Sequence, residues 1–228
     1  MKNAVVFYSN TNQSKRIASY LASRLGYPLY DVFEVKDCAF DNLVFVFPVH
    51  CQGLPDEACR FLSEINVKNL TLIATYGKMC CGNALNEAQK RFKHNVVAAA
   101  YVPTKHTYIQ DDAPFESLDE LEPIVHKITS PAAIKIPKSY KNPFARFARN
   151  TRSRLGVKLF TTDRCTECGS CTAACPYGAI SNGKPNGDCI RCLKCVSACT
   201  SGALQFSLTA PMKLYLKKRK QTKLKIYV

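Results

Sequence analysis

The sequence predicts an α/β protein in which a doubly wound, five-stranded parallel sheet is followed by a small α+β domain. Two observations lead to this prediction. Through the first 137 of the 228 residues, short apolar segments alternate with segments that carry apolar residues at helical spacing. Such alternation is typical of parallel sheets that helices cover on both faces. The remaining residues contain one cysteine spacing twice, which indicates a small domain built around metal.

Each predicted strand is short and rich in Val, Ile, Leu or aromatic residues. The five predicted strands are Ala4–Tyr8, Leu29–Glu34, Leu43–Phe47, Leu70–Tyr76 and Val96–Val102. Apolar residues at helical spacing predict four helices between and after these strands. The predicted helices are Gln13–Leu25, Asp56–Ile65, Gly82–Phe92 and Ser117–Thr129.

Three loops follow predicted strands and should lie at the edge of the sheet where doubly wound proteins bind ligands. The loops are Ser9-Asn10-Thr11-Asn12-Gln13-Ser14, Pro48-Val49-His50-Cys51-Gln52-Gly53-Leu54-Pro55, and Thr75-Tyr76-Gly77 with its continuation to Gly82. The first loop combines hydroxyl groups with the N–H groups of a helix N-terminus. That combination favours the binding of a dianion.

Eight cysteines form two copies of one motif, spaced 24 residues apart. The copies read Cys165-x-x-Cys168-x-x-Cys171-x-x-x-Cys175-Pro176 and Cys189-x-x-Cys192-x-x-Cys195-x-x-x-Cys199. Three thiolates at this spacing bind one [4Fe-4S] cluster, while the fourth binds the neighbouring cluster. We therefore predict two clusters, one held by Cys165, Cys168, Cys171 and Cys199, and the other by Cys189, Cys192, Cys195 and Cys175.

The repeat extends beyond the cysteines, which predicts two similar half-domains related by a pseudo-twofold axis. Ala174, Gly178, Ala179 and Ile180 recur as Ala198, Gly202, Ala203 and Leu204. Structural zinc is one alternative, but zinc sites favour pairs of cysteines and would leave two cysteines of each motif unused. Disulfides are a second alternative, although nothing in the sequence suggests secretion.

Charge is distributed unevenly along the chain. The total is +15, yet residues 1–137 contain 14 basic and 14 acidic residues. Residues 138–228 contain the other 18 basic residues and only Asp163, Glu167 and Asp188 as acids. No signal-peptide pattern opens the sequence, and no apolar run approaches the roughly 18 to 20 residues that span a bilayer. Thirteen cysteines then favour a reducing cytoplasm.

The cysteine segment resembles bacterial two-cluster ferredoxins, and it departs from them at Thr200, where a proline is usual. The three loops resemble the phosphate loop and the two flavin-flanking loops of flavodoxins. Over nearly all of residues 1–207, including the segment Asn142-Pro143-Phe144, the chain resembles the EFR-type flavodoxin–ferredoxin fusion proteins of anaerobic bacteria.

This resemblance implies that the protein binds FMN. The phosphate would contact Ser9, Thr11, Asn12 and Ser14, and the isoalloxazine would lie between the His50–Gly53 loop and the Tyr76–Gly77 loop. The implied FMN-binding residues are Ser9, Asn10, Thr11, Asn12, Gln13, Ser14, Pro48, His50, Cys51, Gly53, Thr75, Tyr76 and Gly77. Asn10 and Asn12 stand where relatives usually have glycine, although asparagine tolerates positive φ better than most residues. A flavodoxin-shaped docking domain without flavin is the alternative.

The predicted organisation is a flavodoxin-like domain (1–137), a basic amphipathic linker (138–158), a ferredoxin domain (159–208) and a basic C-terminal tail (209–228). The predicted function is electron relay between FMN and two [4Fe-4S] clusters, serving a partner oxidoreductase or a small acceptor. The alternative is a ferredoxin-type carrier with a flavin-free scaffold.

The basic tail admits three interpretations: a solvated segment, a surface that attracts an acidic redox partner, or a contact with anionic membrane or nucleic acid. A third, weaker function follows from the last of these, namely a redox-sensitive regulator of a nucleic-acid contact. The tail lacks the recognition fold of a dedicated nucleic-acid binder, which disfavours that function. No residue set identifies a substrate, and no G-x-G-x-x-G fingerprint for NAD(P)H is present, so enzymatic activity is not assigned.

Overall fold

The structure is a computed structural model that describes residues 2–109, 111–140, 142, 144–145, 149–218 and 222–228, and omits the side chains of Arg149 and Asn150. The chain divides into two compact units. The first contains Met1–His106, Asp111–Arg146 and Lys220–Val228. The second contains Thr107–Gln110 and Phe147–Arg219. We describe each unit by itself.

The elements of the N-terminal part follow the predicted alternation of strands and helices. In chain order they are β1 (Asn3–Phe7), α1 (Gln13–Leu25), β2 (Leu29–Asp31), β3 (Ala39–Pro48), α2 (Asp56–Glu64), β4 (Asn66–Tyr76), α3 (Ala84–Phe92), β5 (Val96–Pro103), a 3-10 helix (Leu118–Leu121) and α4 (Glu122–Thr129).

The elements of the C-terminal part are shorter. They are α5 (Arg149–Gly156), β6 (Val157–Thr161), α6 (Ser170–Ala173), β7 (Ile180–Ser181), β8 (Lys184–Pro185), α7 (Lys194–Ser197), β9 (Leu204–Leu208), α8 (Ala210–Lys217) and β10 (Lys225–Tyr227).

Within the described residues, the first unit contains a six-stranded sheet in the order β10-β5-β4-β3-β1-β2. Strands β1 to β5 pair in parallel, as predicted, whereas β10 pairs antiparallel with β5. Apolar side chains fill both faces of the sheet because successive residues of a strand point to opposite sides. One face packs against α2 and α3, and the other packs against α1 and α4. All eight residues of β5 are buried, as expected for a strand covered on both faces.

The C-terminal end of the chain differs from the predicted basic tail over 209–228. Ala210–Lys217 is helical, and Lys225–Tyr227 adds strand β10 to the edge of the sheet, with Ile226 opposite Ala100. Leu224 and Ile226 pack against the core on one face, and Tyr227 packs against the core on the other. The strand therefore forms because apolar residues alternate there and because β5 offers an unpaired edge. The prediction of a sheet with five strands is corrected to five parallel strands and one antiparallel strand.

The second unit is built on two small antiparallel ladders. Strand β6 pairs with β9, from Val157 opposite Leu208 to Thr161 opposite Leu204, and β7 pairs with β8. Helices α5 and α8 approach each other at Gly156, where an added Cβ would lie 2.2 Å from the Met212 methyl carbon. Among the described residues of this unit, Ile180, Cys195 and Leu204 form a small buried cluster, with partly buried cysteines packed around it.

The predicted linker over 138–158 is only partly described. Lys141, Pro143 and residues 146–148 lie outside the described residues, as do Arg219 to Gln221 in the C-terminal basic run. Helix α5 and the first residues of β6 lie within the segment predicted as linker. The predicted domain boundaries remain predictions.

Candidate iron–sulfur and flavin sites

The two cysteine motifs adopt the same local structure, as their repeat predicts. In each motif the third cysteine lies in a four-residue helix, α6 or α7, and the fourth cysteine lies two residues after the end of that helix. Gly178 and Gly202, at equivalent positions after the fourth cysteine, have φ of 58° and 62°. Glycine adopts this left-handed conformation without steric cost, which explains its recurrence.

Backbone N–H groups point at the fourth sulfur of each motif. Ala179 N donates to Cys175 Sγ at 3.3 Å, and Leu204 N donates to Cys199 Sγ at 3.3 Å. Hydrogen bonds of this kind stabilise the negative charge of a thiolate. Four of the motif cysteines belong to the small apolar cluster of the unit: Cys195 is buried in it, and Cys171, Cys175 and Cys199 pack against it. The donor set therefore fits iron–sulfur clusters, which thiolates bind.

The cysteine thiols of the two motifs differ from one another in pKa. Burial raises the pKa of Cys192 to about 11 and that of Cys195 to about 12. A hydrogen bond with the Ser170 hydroxyl group lowers the pKa of Cys168, and the Leu204 N–H lowers the pKa of Cys199. Thiolates are the metal ligands, so the buried thiols need the positive charge of bound iron to compensate for their desolvation.

Among the residues that the structure describes, no group of three or more His, Cys, Asp or Glu side chains is placed to hold a single metal ion.

The first loop at the carboxyl edge of the sheet leads into helix α1. Asn12 precedes the helix with φ of 60°, so asparagine takes the left-handed conformation that glycine usually provides. Asn12 makes no side-chain capping hydrogen bond, and the first turn of α1 contains no acidic residue. The N-terminal N–H groups of α1 therefore have no acidic side chain beside them in the first turn, so this helix N-terminus can bind an anion. Ser9 and Ser14 are buried in this loop.

The side chains of Ser14 and Asn10 in the first loop already have polar partners within the protein. The hydroxyl oxygens of Ser14 and Thr75 lie 2.9 Å apart, and Asn10 Nδ2 donates to the Tyr8 hydroxyl group at 2.8 Å. Asn10 Oδ1 is buried and has no hydrogen-bond partner in the described residues. A donor from a ligand could satisfy that oxygen.

The second loop forms a tight two-residue turn. His50 and Gly53 exchange two backbone hydrogen bonds of 3.0 Å, and Cys51 and Gln52 have φ of 47° and 64°. The turn touches the third loop, because an added Cβ on Gly82 would lie 2.2 Å from the Gln52 carbonyl oxygen. Gln52 and Gly82 were not predicted as site residues, although a glycine shortly after a predicted strand is a signal for such a close approach.

The third loop presents backbone rather than its aromatic ring. Tyr76 is 3% exposed, and its hydroxyl group donates to the Lys223 carbonyl at 2.7 Å. Burial raises the pKa of Tyr76. Its ring packs in the core, so only the backbone of Tyr76 is left for a ligand. Lys225 Nζ, from β10, lies 3.6 Å from Cys81 Sγ behind this loop.

A fourth loop follows β5, includes Thr104, His106, Asp112 and Ala113, and packs on the third loop. The sequence analysis did not predict it as part of the site. An added Cβ on Gly77 would lie 2.5 Å from the His106 ring. Lys78 Nζ lies 3.0 Å from Asp112 Oδ1 and donates to the Ala113 carbonyl at 2.8 Å, while Asp112 Oδ2 accepts from His106 N at 2.8 Å. Thr104 donates to Gln13 Oε1 at 2.6 Å, which ties the start of this loop to the predicted site residue Gln13.

A shallow depression of about 400 Å³ lies elsewhere on the first unit, beside α3. None of the predicted site residues lines it. Its lining residues are Asn83, Asn86, Glu87, Lys90, Arg91 and Lys138.

Comparison with protein families identifies the cysteine segment. Residues 159–181 match the Fer4 family, a 4Fe-4S binding domain, and residues 186–202 match a second 4Fe-4S binding domain family, Fer4_4. Each match contains one of the two motifs, and together the matches contain all eight predicted ligands. The chain thus carries two 4Fe-4S binding motifs, in agreement with the prediction of two clusters.

Several solved structures are similar to the chain at low identity. Rubredoxin oxygen:oxidoreductase from Desulfovibrio gigas is 16% identical, with a TM-score of 0.44 over 57% of this chain and 36% of that chain. A short-chain flavodoxin associated with a non-canonical PDU bacterial microcompartment is 15% identical, with a TM-score of 0.40 over 57% of this chain and 98% of that chain. A flavodoxin from the domain Archaea is 14% identical, with a TM-score of 0.42 over 57% and 97%.

No curated protein matches the chain. In the part of the chain that the structure describes, no helix has both the length and the apolar character needed to cross a bilayer.

Proposed function

We propose that this protein relays electrons between FMN, held by the loops at the carboxyl edge of its sheet, and two [4Fe-4S] clusters, held by its eight motif cysteines. The observation that carries the proposal is the doubled cysteine motif with an N–H group directed at the fourth sulfur of each copy. When bound, the clusters would supply one-electron chemistry, and FMN would accept one or two electrons. The chain itself supplies binding, orientation and electrostatics.

The cysteines would hold the clusters in an interleaved manner. Cys165, Cys168 and Cys171 would share one cluster with Cys199, and Cys189, Cys192 and Cys195 would share the other with Cys175. The N–H groups of Ala179 and Leu204 would stabilise negative charge on the shared fourth ligands. The interleaving would also hold the two halves of the small unit together.

The first loop and helix α1 would bind the FMN phosphate. Ser9, Thr11, Asn12 and Ser14 are the proposed contacts, supported by the N-terminal N–H groups of α1, whose first turn contains no acidic residue. The His50–Gly53 turn and the Tyr76–Gly77 backbone would flank the isoalloxazine. Because Gly82 and Gln52 bring these two loops together, their spacing is fixed by the protein.

A second candidate function is that of a flavin-free electron carrier. The hydroxyl groups of Ser14 and Thr75 lie within hydrogen-bond distance of each other, and the ring of Tyr76 is buried, so these implied FMN contacts are engaged within the protein. In this case the first unit would serve as a scaffold that selects the redox partner.

The partner in either case is proposed to be an acidic redox protein. The 18 basic and three acidic residues of the segment 138–228 would attract such a protein and raise the rate of association. We also propose a cytoplasmic location, because the thiols of both motifs must stay reduced to bind clusters.

Anaerobic purification followed by cofactor extraction tests the proposal. The relay predicts about eight iron atoms and about eight sulfide ions per chain. It also predicts a flavin absorption band at about 450 nm in the acid supernatant. Iron and sulfide without flavin would support the carrier. Two zinc ions per chain without sulfide would exclude both functions.

A further inference from the structure

The 24-residue repeat relates the two cysteine motifs, but the protein surrounds them differently. In the first motif the stretch Thr166, Glu167 and Cys168 is exposed. In the second motif Cys189 and Cys195 are only 8% and 7% exposed. The two cluster-binding motifs are therefore inequivalent in their access to solvent.

A comparison of equivalent positions shows how the difference arises. Each motif has two residues with left-handed backbone, Glu167 and Gly169 in the first (φ of 52° and 75°), and Arg191 and Leu193 in the second (φ of 60° and 63°). The backbone is thus conserved between the copies while the side chains differ. Leu193 is 4% exposed, and the equivalent residue of the first motif, Gly169, has no side chain to bury. Arg191 is partly buried, whereas the equivalent Glu167 is exposed. Leucine is unfavourable in this conformation, and the burial of its side chain compensates for the cost.

Polar contacts hold the turn of the second motif from outside. Arg154 Nε donates to the Cys189 carbonyl at 3.1 Å, and Arg191 Nε donates to the Val157 carbonyl at 3.1 Å. The Tyr108 hydroxyl group donates to the Arg191 carbonyl at 2.9 Å, and its ring centroid lies 6.5 Å from that of Phe206. These side chains pack over the turn of the second motif, whereas the equivalent turn of the first motif, around Glu167, is exposed to solvent.

We propose that the protein exchanges electrons with its redox partner through the cluster held by the first motif (Cys165, Cys168 and Cys171, with Cys199 from the second motif), whereas the second motif is a more enclosed site. The inference rests on the proposed function, since both motifs must bind clusters. Electron transfer between proteins weakens steeply with distance, so the exposed motif is the one that a partner can approach closely. The side chains over the second motif keep a partner further away.

Electron exchange with small charged oxidants tests this inference without a known partner. Ferricyanide takes one electron from the reduced protein and becomes ferrocyanide, and hexaamminecobalt(III) takes one electron in the same way. Neither exchange moves a proton. Because the two oxidants have opposite charge, a change of local protein charge at the site of exchange should affect their rates in opposite directions.

Two variants make the same change of charge beside the two motifs. Glu167→Lys replaces the exposed carboxylate between Cys165 and Cys168, and Asp188→Lys replaces the exposed carboxylate directly before Cys189. At low ionic strength we expect Glu167→Lys to raise the rate with ferricyanide about two- to fivefold and to lower the rate with hexaamminecobalt(III) by a similar factor. We expect Asp188→Lys to change both rates less than about 1.5-fold, and salt to suppress all the effects. Equal responses of the two variants, or a larger response of Asp188→Lys, would overturn the inference.

Iron release gives a second readout that does not depend on electron transfer. With a strong iron chelator, the exposed motif should release about half of the eight irons in a fast phase. Cys168→Ser should remove the fast phase, and Cys192→Ser should remove the slow phase. Loss of the fast phase in Cys192→Ser would contradict the inference.

Iron and sulfide analysis separates the two possible failures. Protein without iron and sulfide contradicts the proposed function and this inference with it. Protein with about eight of each, but with equal responses to the two charge variants, contradicts this inference alone. The charge variants keep all eight ligands, so they remain informative if a cysteine variant does not fold.

Discussion

At the scale of single residues, serine hydroxyl groups distinguish the ligands of the first predicted cluster from those of the second. Ser170 Oγ lies 3.3 Å from Cys168 Sγ, and Ser201 Oγ lies 3.6 Å from Cys199 Sγ. Both cysteines are predicted ligands of the same cluster. The equivalent positions in the other copy are Lys194 and Tyr177. A hydroxyl group that donates to a ligand sulfur stabilises the more negative, reduced state of the cluster and raises its reduction potential.

We expect Ser170→Ala and Ser201→Ala each to lower the reduction potential of one cluster by about 20 to 60 mV, which corresponds to the loss of a hydrogen bond worth about 0.5 to 1.5 kcal/mol. An EPR-monitored redox titration measures this shift. Ser197→Ala, at an exposed serine of α7, is the matched control and should leave both potentials unchanged. Equal shifts in the reduction potentials of both clusters would show that the two serines do not act on one cluster alone.

Lys78 and Asp112 form a largely buried ion pair of 3.0 Å between the third and fourth loops, with side chains 16% and 2% exposed. Lys78→Met leaves the Asp112 carboxylate buried with less compensation, so we expect the free energy of unfolding of the first unit to fall by roughly 3 kcal/mol. Urea unfolding followed by far-UV circular dichroism measures the change.

Lys68→Met is the control for that experiment. Lys68 is 75% exposed and lies 3.7 Å from Asp41, so the loss should stay below about 1 kcal/mol. A loss for Lys78→Met as small as that of the control would show that the fourth loop is not held by this pair.

At the scale of elements, strand β10 completes the sheet. It covers the edge of β5 that the predicted five-stranded sheet would leave unpaired, and Lys223, just before it, accepts the hydrogen bond from Tyr76. An exposed edge strand can pair with other chains, so β10 also protects the sheet. The end of the chain thus stabilises the unit that its beginning forms.

We expect Ile226→Ala to lower the stability of the first unit by roughly 1 to 2 kcal/mol, less than the cost at a fully buried isoleucine, because Ile226 is only half-buried. Val228→Ala is the control, since Val228 is 52% exposed and should cost less than about 0.5 kcal/mol. The midpoints of urea unfolding of the two variants measure the difference. Equal midpoints would mean that the packing of β10 does not contribute to the stability of the first unit.

Elements that depend on local pattern were predicted well. Helix α1 has the predicted bounds Gln13–Leu25, because its apolar spacing and the glycine after it are local signals. Strand β2 ends at Asp31 instead of Glu34, since it lies at the edge and has one neighbour to pair with. The β7–β8 hairpin was not predicted, although Asn182-Gly183 is a strong signal for such a turn.

At the scale of the whole molecule, the two units depend on different forces. The first unit buries two extensive apolar layers on its sheet. The described part of the second unit has a small core of Ile180, Cys195 and Leu204, around which other cysteines pack. We expect a unit with so small an apolar cluster to need bound metal to hold its fold.

We expect anaerobic removal of iron with a chelator, or the substitution Cys192→Ser, to make the second unit sensitive to proteolysis while the first unit keeps its β-sheet. Limited proteolysis with mass spectrometry measures this difference. Cys38→Ser, at a partly buried cysteine of the first unit, should leave iron content unchanged. Uniform resistance of the iron-free protein would show that the apolar core of the second unit suffices.

The sequence by itself determined the parallel sheet and predicted the eight cluster ligands. Both depend on spacing along the chain: the alternation of strand and helix patterns predicts the sheet, and the distances between cysteines predict which thiolates can surround a cluster.

Only the tertiary structure decided how distant segments meet. It brought Gly82 against Gln52, placed the fourth loop on Gly77, and added residues 225–227 to the edge of β5. It also buried Cys189 and Cys195 of the second motif and left Cys168 of the first motif exposed. These features depend on contacts between residues far apart in the chain, and the two motifs differ in burial because their neighbours in space differ although their cysteine spacing is the same.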